Sequence, residues 1–283
     1  MRKVGSERMK ILMAFVYLVV LGFTTAYAET REELLRDAET GRVPAQVKLA
    51  RMYLEGVDGA ENKEEAFRWL LKAARSGDTG AQQTVSNMYF IGEGVEKDDK
   101  KAFFWIKKTA DAGIAEGQYN LAVMYANGDG VDKSVDSAVT WYVKAANQEY
   151  LPAQNALAWT YSQGLGVPQD NVKAAHWYLR SAENNDPEGQ YHMGRLLARG
   201  EGVPRDAEKA FFWWKKSAEQ GFVLAQSRVG FCYEKGWGTN RDVTAAYFWW
   251  KRAAATGNLT ARKNLEILCR TNGDVCDSPQ IAH

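Results

Sequence analysis

The chain has 283 residues with 36 Lys+Arg against 35 Asp+Glu, a net charge of +1. That balance excludes a polybasic nucleic-acid binder, whose affinity needs surplus cations for phosphate. Hydrophobic residues make up 46% and aromatics 12%, enough for a packed core, while three Cys exclude a disulfide-built scaffold, three His restrict metal and general-base chemistry, and ten Trp are an excess to be explained.

Residues 1–28 read as an export signal. Arg2, Lys3, Arg8 and Lys10 form a basic start, Ile11 to Phe23 an apolar run, and Ala26-Tyr27-Ala28 a small-x-small cleavage site before Glu29. Thirteen apolar residues make about 20 Å of helix, short of the roughly 30 Å hydrocarbon core, so cleavage is favoured over anchoring. No stable membrane insertion is expected afterwards, and a periplasmic or secreted location follows. Met9 is an alternative start, since Met9 to Phe15 is a compact signal by itself. Residues 29–41 are expected to form an N-terminal capping helix.

From residue 42 the chain repeats every 36 residues. Ala45-Gln46, Ala81-Gln82, Gly117-Gln118, Ala153-Gln154, Gly189-Gln190, Ala225-Gln226 and Ala261-Arg262 fall in one register. Tyr53, Tyr89, Tyr125, Tyr161, Leu197 and Tyr233 follow it, as do Ala66 to Ala246 and Trp69, Trp105, Trp141, Trp177, Trp213 and Trp249, which account for six of the ten Trp. Six full repeats cover about 42–257 and a degenerate seventh runs to 276, with 277–283 as a flexible tail.

Each repeat reads as two helices. The first has its apolar residues at helical spacing, as in Leu121, Met124 and Tyr125, and stops at a Gly-x-Gly turn such as Gly128-Asp129-Gly130. Asn62, Asp98, Ser134, Asp170, Asp206 and Asp242 then stand where a side-chain oxygen caps the second helix. Lys72, Lys108, Lys144, Arg180, Lys216 and Arg252 lie three residues after each Trp, in the last turn, where a cation suits the helix dipole. One pair cannot bury its apolar face alone, so stacked neighbours must do so. The fold expected is an all-α solenoid of helix-turn-helix repeats.

These residues resemble the Sel-one-like repeat (SLR) family, relatives of the tetratricopeptide repeat. Gly117-Gln118, Leu121-Ala122, Met124-Tyr125, Gly128-Asp129-Gly130-Val131, Ala138, Trp141 and Lys144-Ala145-Ala146 carry the match most fully. Leu197 departs from the Tyr of the pattern, and two repeats end in Glu149-Tyr150 and Asn185-Asp186-Pro187 without its Gly. The resemblance implies a right-handed superhelix and an exported, non-enzymatic scaffold for another protein or peptide, one that regulates a membrane sensor or assists an envelope complex. The alternatives are a structural subunit of an envelope machine and, further off, a cell-wall or antibiotic-modifying hydrolase.

No nucleotide-binding, serine-hydrolase or zinc-protease motif occurs, and no cofactor is expected. The Gly-x-Gly pairs follow helices and lack a third glycine, so they read as turns. His176 and His192 recur in no other repeat and read as ordinary helix residues. Cys232 falls in an apolar series and reads as a buried thiol. Cys269 and Cys276, seven apart in the incomplete last repeat, read as a structural disulfide if the compartment is oxidising.

Matching the family pattern places three variable series of the first helices on the concave face. Phe90, Tyr119, Trp159, Tyr191, Arg195 and Phe231 belong to them and do not recur with the period. Aromatics and Arg dominate interface hot spots, so these six are the candidate partner-binding residues. The competing reading is that they pack between neighbouring repeats.

Overall fold

The computed structural model describes residues 31–57, 59, 61–272 and 276. The expected signal (1–28) and tail (277–283) lie outside the described residues. Among these there are fourteen helices and no strand: α1 (Arg31–Glu39), α2 (Val43–Glu55), α3 (Lys63–Arg75), α4 (Thr79–Ile91), α5 (Asp99–Asp111), α6 (Ala115–Asn127), α7 (Val135–Asn147), α8 (Leu151–Gln163), α9 (Asn171–Glu183), α10 (Pro187–Arg199), α11 (Ala207–Glu219), α12 (Val223–Lys235), α13 (Val243–Ala255) and α14 (Leu259–Thr271). The chain forms two compact units, one ending at Trp105 and the other beginning at Ile106. In each, consecutive helices pack pairwise, the arrangement of an all-α solenoid.

The helix boundaries follow from the recurrent polar residues. Asn62, Asp98, Ser134, Asp170, Asp206 and Asp242 each accept the backbone N–H of the residue three ahead, at 2.9–3.2 Å. Each such cap contributes about 1 kcal/mol. The same residues donate their own N–H to the carbonyls of Tyr53, Tyr89, Tyr125, Tyr161, Leu197 and Tyr233, closing every intra-repeat turn. Leu197 can therefore replace the Tyr without loss of this bond, because the backbone makes it.

The two glycines of the turn have different jobs. The first ends the helix in the left-handed conformation; Gly200, for example, has φ 72° and donates to the Leu196 carbonyl. The second is also left-handed, but its further requirement is space. A Cβ on Gly202 would lie 2.0 Å from the Asn171 carbonyl oxygen of the preceding repeat, and one on Gly94 2.2 Å from that of Lys63. It is thus a contact between repeats as well as a turn.

The repeated register of Gln is explained by the orphan carbonyls at helix ends. Gln46, Gln82, Gln118, Gln154, Gln190 and Gln226 are buried, and each donates its Nε2 to the carbonyl eight residues earlier, at the end of the preceding second helix (Ala38, Ala74, Ala110, Ala146, Ala182, Ala218). The last-turn cations do more than face a dipole. Lys72 and Lys144 sit 3.7 Å from the ring centroids of Trp69 and Trp141, and Arg180, Lys216 and Arg252 take the corresponding places at 5.2–5.6 Å.

Packing inside a repeat is matched in size. Gly194 and Gly230 stand where a Cβ would strike the indoles of Trp214 and Trp250 at 2.6 and 2.5 Å, and those indoles donate N–H to the Tyr191 and Ser227 carbonyls. Two more of the ten Trp are thereby placed. Where Gly normally ends the repeat, Glu149 and Asn185 adopt φ 62° and 63°, a conformation that costs a side-chain-bearing residue about 1–2 kcal/mol. Cys232 is a buried free thiol, pushed up to about 12 by burial and eased slightly by Arg228. The sulfurs of Cys269 and Cys276 lie 2.01 Å apart, joining the end of α14 to the residue at 276.

Candidate interaction groove

Helix α8 begins with Pro152 in its first turn and ends at Gly164, so its 13 residues hold Asn155 and Trp159 one turn apart on one face. Helix α10 is capped by Asp186, whose carboxylate accepts the Gly189 N–H, and presents Glu188, His192 and Arg195 at i, i+4 and i+7. Helix α6 presents Tyr119. Tyr119, Pro152, Asn155, Trp159, Glu188 and His192 enclose a depression of about 450 Å³. A second depression, about 530 Å³, is lined by Ala126, Val135, Val139, Tyr142 and Leu165 with Lys133 at its edge, and it shares Ala156 and Trp159 with the first. Trp159 is thus the wall between two recesses, and it keeps 44% of its surface exposed.

The first recess has a consistent chemistry. The His192 ring stacks on Tyr178 (centroids 4.7 Å) and packs against Tyr191 and Trp159. Burial, reinforced by Arg195 and opposed by Asp186, pulls its imidazole down to about 4, so it is neutral at pH 7. Burial, then Asp186, raises the Glu188 carboxyl; burial, then Glu188, raises the Tyr119 hydroxyl. Asn155 is 8% exposed, and its amide donates to Asp186 at 2.9 Å, which turns its own oxygen away from that carboxylate. Asn155 Oδ1, His192 Nδ1 and Arg195 Nε have no hydrogen-bond partner in the fold.

The six candidate residues divide. Trp159 and Tyr119 meet at the first recess, and Tyr191 and Arg195 adjoin it through His192. Tyr119 and Tyr191 are half-buried. Each also packs on the aromatic that caps the next first helix, Tyr150 at 5.6 Å and Phe222 at 5.3 Å, so each joins two successive first helices. Phe231, 39% exposed, lines a separate recess of about 220 Å³ with Trp250, Ile267 and Leu268. Phe90 belongs to the other unit, is 37% exposed and lies under Lys97, 5.1 Å from its ring. Sequence reasoning read His192 as an ordinary helix residue, placed Asn155 in a variable series without making it a candidate, and passed over Glu188. The signal available was a coupled change 31 residues apart: Tyr119 with Tyr150, Asn155 with Asp186, Tyr191 with Phe222.

Among the described residues no group of three or more His, Cys, Asp or Glu is arranged to hold a metal ion, and no helix is long and apolar enough to cross a membrane.

The 36-residue register and paired helices define an SLR-type α-solenoid. Sel1 repeats match residues 43–78, 81–114, 115–150, 151–186, 187–222 and 223–258, and the chain belongs to the Sel1 repeat family. Its members are generally non-catalytic, protein-interaction scaffolds. The chain is similar to a protective antigen of uropathogenic Escherichia coli that displays an SLR fold, at 32% identity and a TM-score of 0.83 over 89% of this chain. It spans only 54% of that antigen's length. A Sel1 repeat protein from Oxalobacter formigenes is also 32% identical, with a TM-score of 0.69, 87% of this chain and 95% of that one covered. Among curated proteins none matches.

Proposed function

We propose that the protein is an exported scaffold that holds a peptide or partner protein along the first-helix face of residues 106–283, with Trp159 as its central anchor. The observation that carries this is the position of Trp159: a large aromatic, 44% exposed, between two recesses of about 450 and 530 Å³. A solitary indole flanked by recesses offers an anchor and places for neighbouring side chains, the usual anatomy of a hot spot. The role is to regulate a membrane sensor or assist an envelope complex after removal of residues 1–28. In the oxidising compartment that export implies, the Cys269 and Cys276 pair should be found bridged by non-reducing mass mapping of the exported protein.

The test is capture of partners from envelope extracts, followed by affinity measurement with the purified partner. Trp159→Ala should weaken binding at least about tenfold with the thermal transition unchanged, and Tyr191→Ala should weaken it less, since half of that ring packs within the fold. Unchanged affinity for both variants in a folded protein would remove the groove as the binding face.

A further inference from the structure

We propose that the recess between Tyr119 and Trp159 takes a cationic side chain, a lysine ammonium or an arginine guanidinium, projecting from the segment held in the groove. This deepens the groove reading and rests on it.

Three features of the recess select a cation. Its walls are aromatic faces, Tyr119 and Trp159, which attract positive charge through the ring quadrupole. Its lining offers acceptors: the Glu188 carboxylate at the solvent-exposed edge and Asn155 Oδ1, which is buried and without a donor. The orientation of the Asn155 amide is fixed chemically, because Asp186 can only accept, so the amide nitrogen must face Asp186 and the oxygen must face elsewhere. The carboxylate is also uncompensated. Among the described residues its one ion-pair contact is His192 Nε2 at 4.0 Å, and that imidazole is neutral at pH 7. Asp186, by contrast, already accepts three hydrogen bonds at Oδ2, from Asn155, Ser181 and the Gly189 N–H. Arg195 acts on Tyr178 and His192 and does not line the recess.

The neighbouring recess is the internal contrast. It too has aromatic walls, Tyr142 and Trp159, but its lining holds no carboxylate and carries Lys133, so it disfavours a cation and suits an apolar residue. The two recesses on either side of Trp159 therefore ask for different side chains.

The experiment uses acetyl-Ala-X-Ala-amide peptides with X as Arg, Lys, norleucine or Glu, titrated into the purified protein. The readout is the Trp159 indole N–H resonance, assigned by its loss in Trp159→Phe. The Arg and Lys peptides should shift it with at least tenfold lower Kd than norleucine, and the Glu peptide should leave it unmoved. Glu188→Gln, at a side chain 56% exposed and so tolerant of change, should erase the difference between Arg and norleucine. Glu188→Lys should abolish the Arg response. Equal binding of the charged and neutral peptides, a preference for Glu, or no shift at Trp159 would overturn the proposal. A captured partner that loses affinity on Trp159→Ala but not on Glu188→Gln would keep the groove and discard the cation site.

Discussion

The repeat at 151–186 and its neighbours at 115–150 and 187–222 share one frame and differ in how they hold the next repeat. In the flanking repeats an aromatic pair spans the junction, Tyr119 on Tyr150 and Tyr191 on Phe222. In the middle repeat the same two positions are Asn155 and Asp186, joined by a 2.9 Å hydrogen bond. A second device alternates with it. Gln148 and Gln220 reach back to Gln118 and Gln190 at 2.8 Å, whereas Asn184, one methylene shorter, makes no such bond and Gln154 Oε1 is left unpaired. At the aromatic junctions the Gln118 and Gln190 oxygens are paired. The polar junction is underfilled, and it is there that the depression with Glu188 and His192 opens. The first recess thus opens where a polar pair stands in place of the aromatic pairs of the flanking repeats.

The largest effects should come from the frame, which the two kinds of repeat share. Gly202→Ala forces a Cβ onto the Asn171 carbonyl at 2.0 Å in a left-handed conformation, and Gly238→Ala does the same to Ala207 at 2.1 Å. Each should cost about 3 kcal/mol or more in denaturant unfolding, with no difference between polar and aromatic junctions. A cost below about 1 kcal/mol would show that the repeats can separate there freely.

Next comes the polar junction itself. His192 has a folded value of about 4 against 6.5 when free, so below pH 6.5 the unfolded chain binds a proton that the folded chain refuses. Stability should therefore be complete above pH 6.5 and fall on acidification toward pH 4, by an amount on the order of 3 kcal/mol. Arg195 opposes protonation, and Asp186 favours it. His192→Phe should flatten this segment of the pH–stability curve; an unaltered curve would place the imidazole in solvent.

Smaller effects sharpen the Gln comparison. Gln220→Ala should cost about 1 kcal/mol by removing the bond to Gln190, while Asn184→Gln should restore the missing partner of Gln154 and stabilise by a similar or smaller amount. At the same scale, Glu149→Gly should stabilise by about 1 kcal/mol, since Glu149 holds φ 62° where equivalent positions use Gly. Thermal melts of the three variants check both statements.

The frame was readable in the chain because each of its parts is local and repeated. The cap residues act three positions away, the first glycine ends its own helix, and Gln46 to Gln226 reach only eight residues back. The recess was not, for the opposite reason. Trp159 meets His192 across 33 positions, Asn155 meets Asp186 across 31, and His192 and Asn155 recur in no other repeat, so a search for repeated residues discards them. His192 looked like an ordinary helix residue because its neighbours in sequence say nothing of Tyr178, on which it stacks. The roles of the second glycine and of the Lys–Trp pairs lie between these cases: the positions were evident, but the contacts that require them cross between elements.

The central claim is that the partner lies over Trp159. Site-specific photocrosslinking tests it most directly, with benzoylphenylalanine placed at Trp159 and, as the control, at Phe212, an equally exposed aromatic (48%) of a second helix, α11. The expected result is a discrete crosslinked product from position 159 in envelope extracts, competed by the purified partner, with none from position 212. A product from position 212 and none from 159 would contradict it and move the binding face to the second helices.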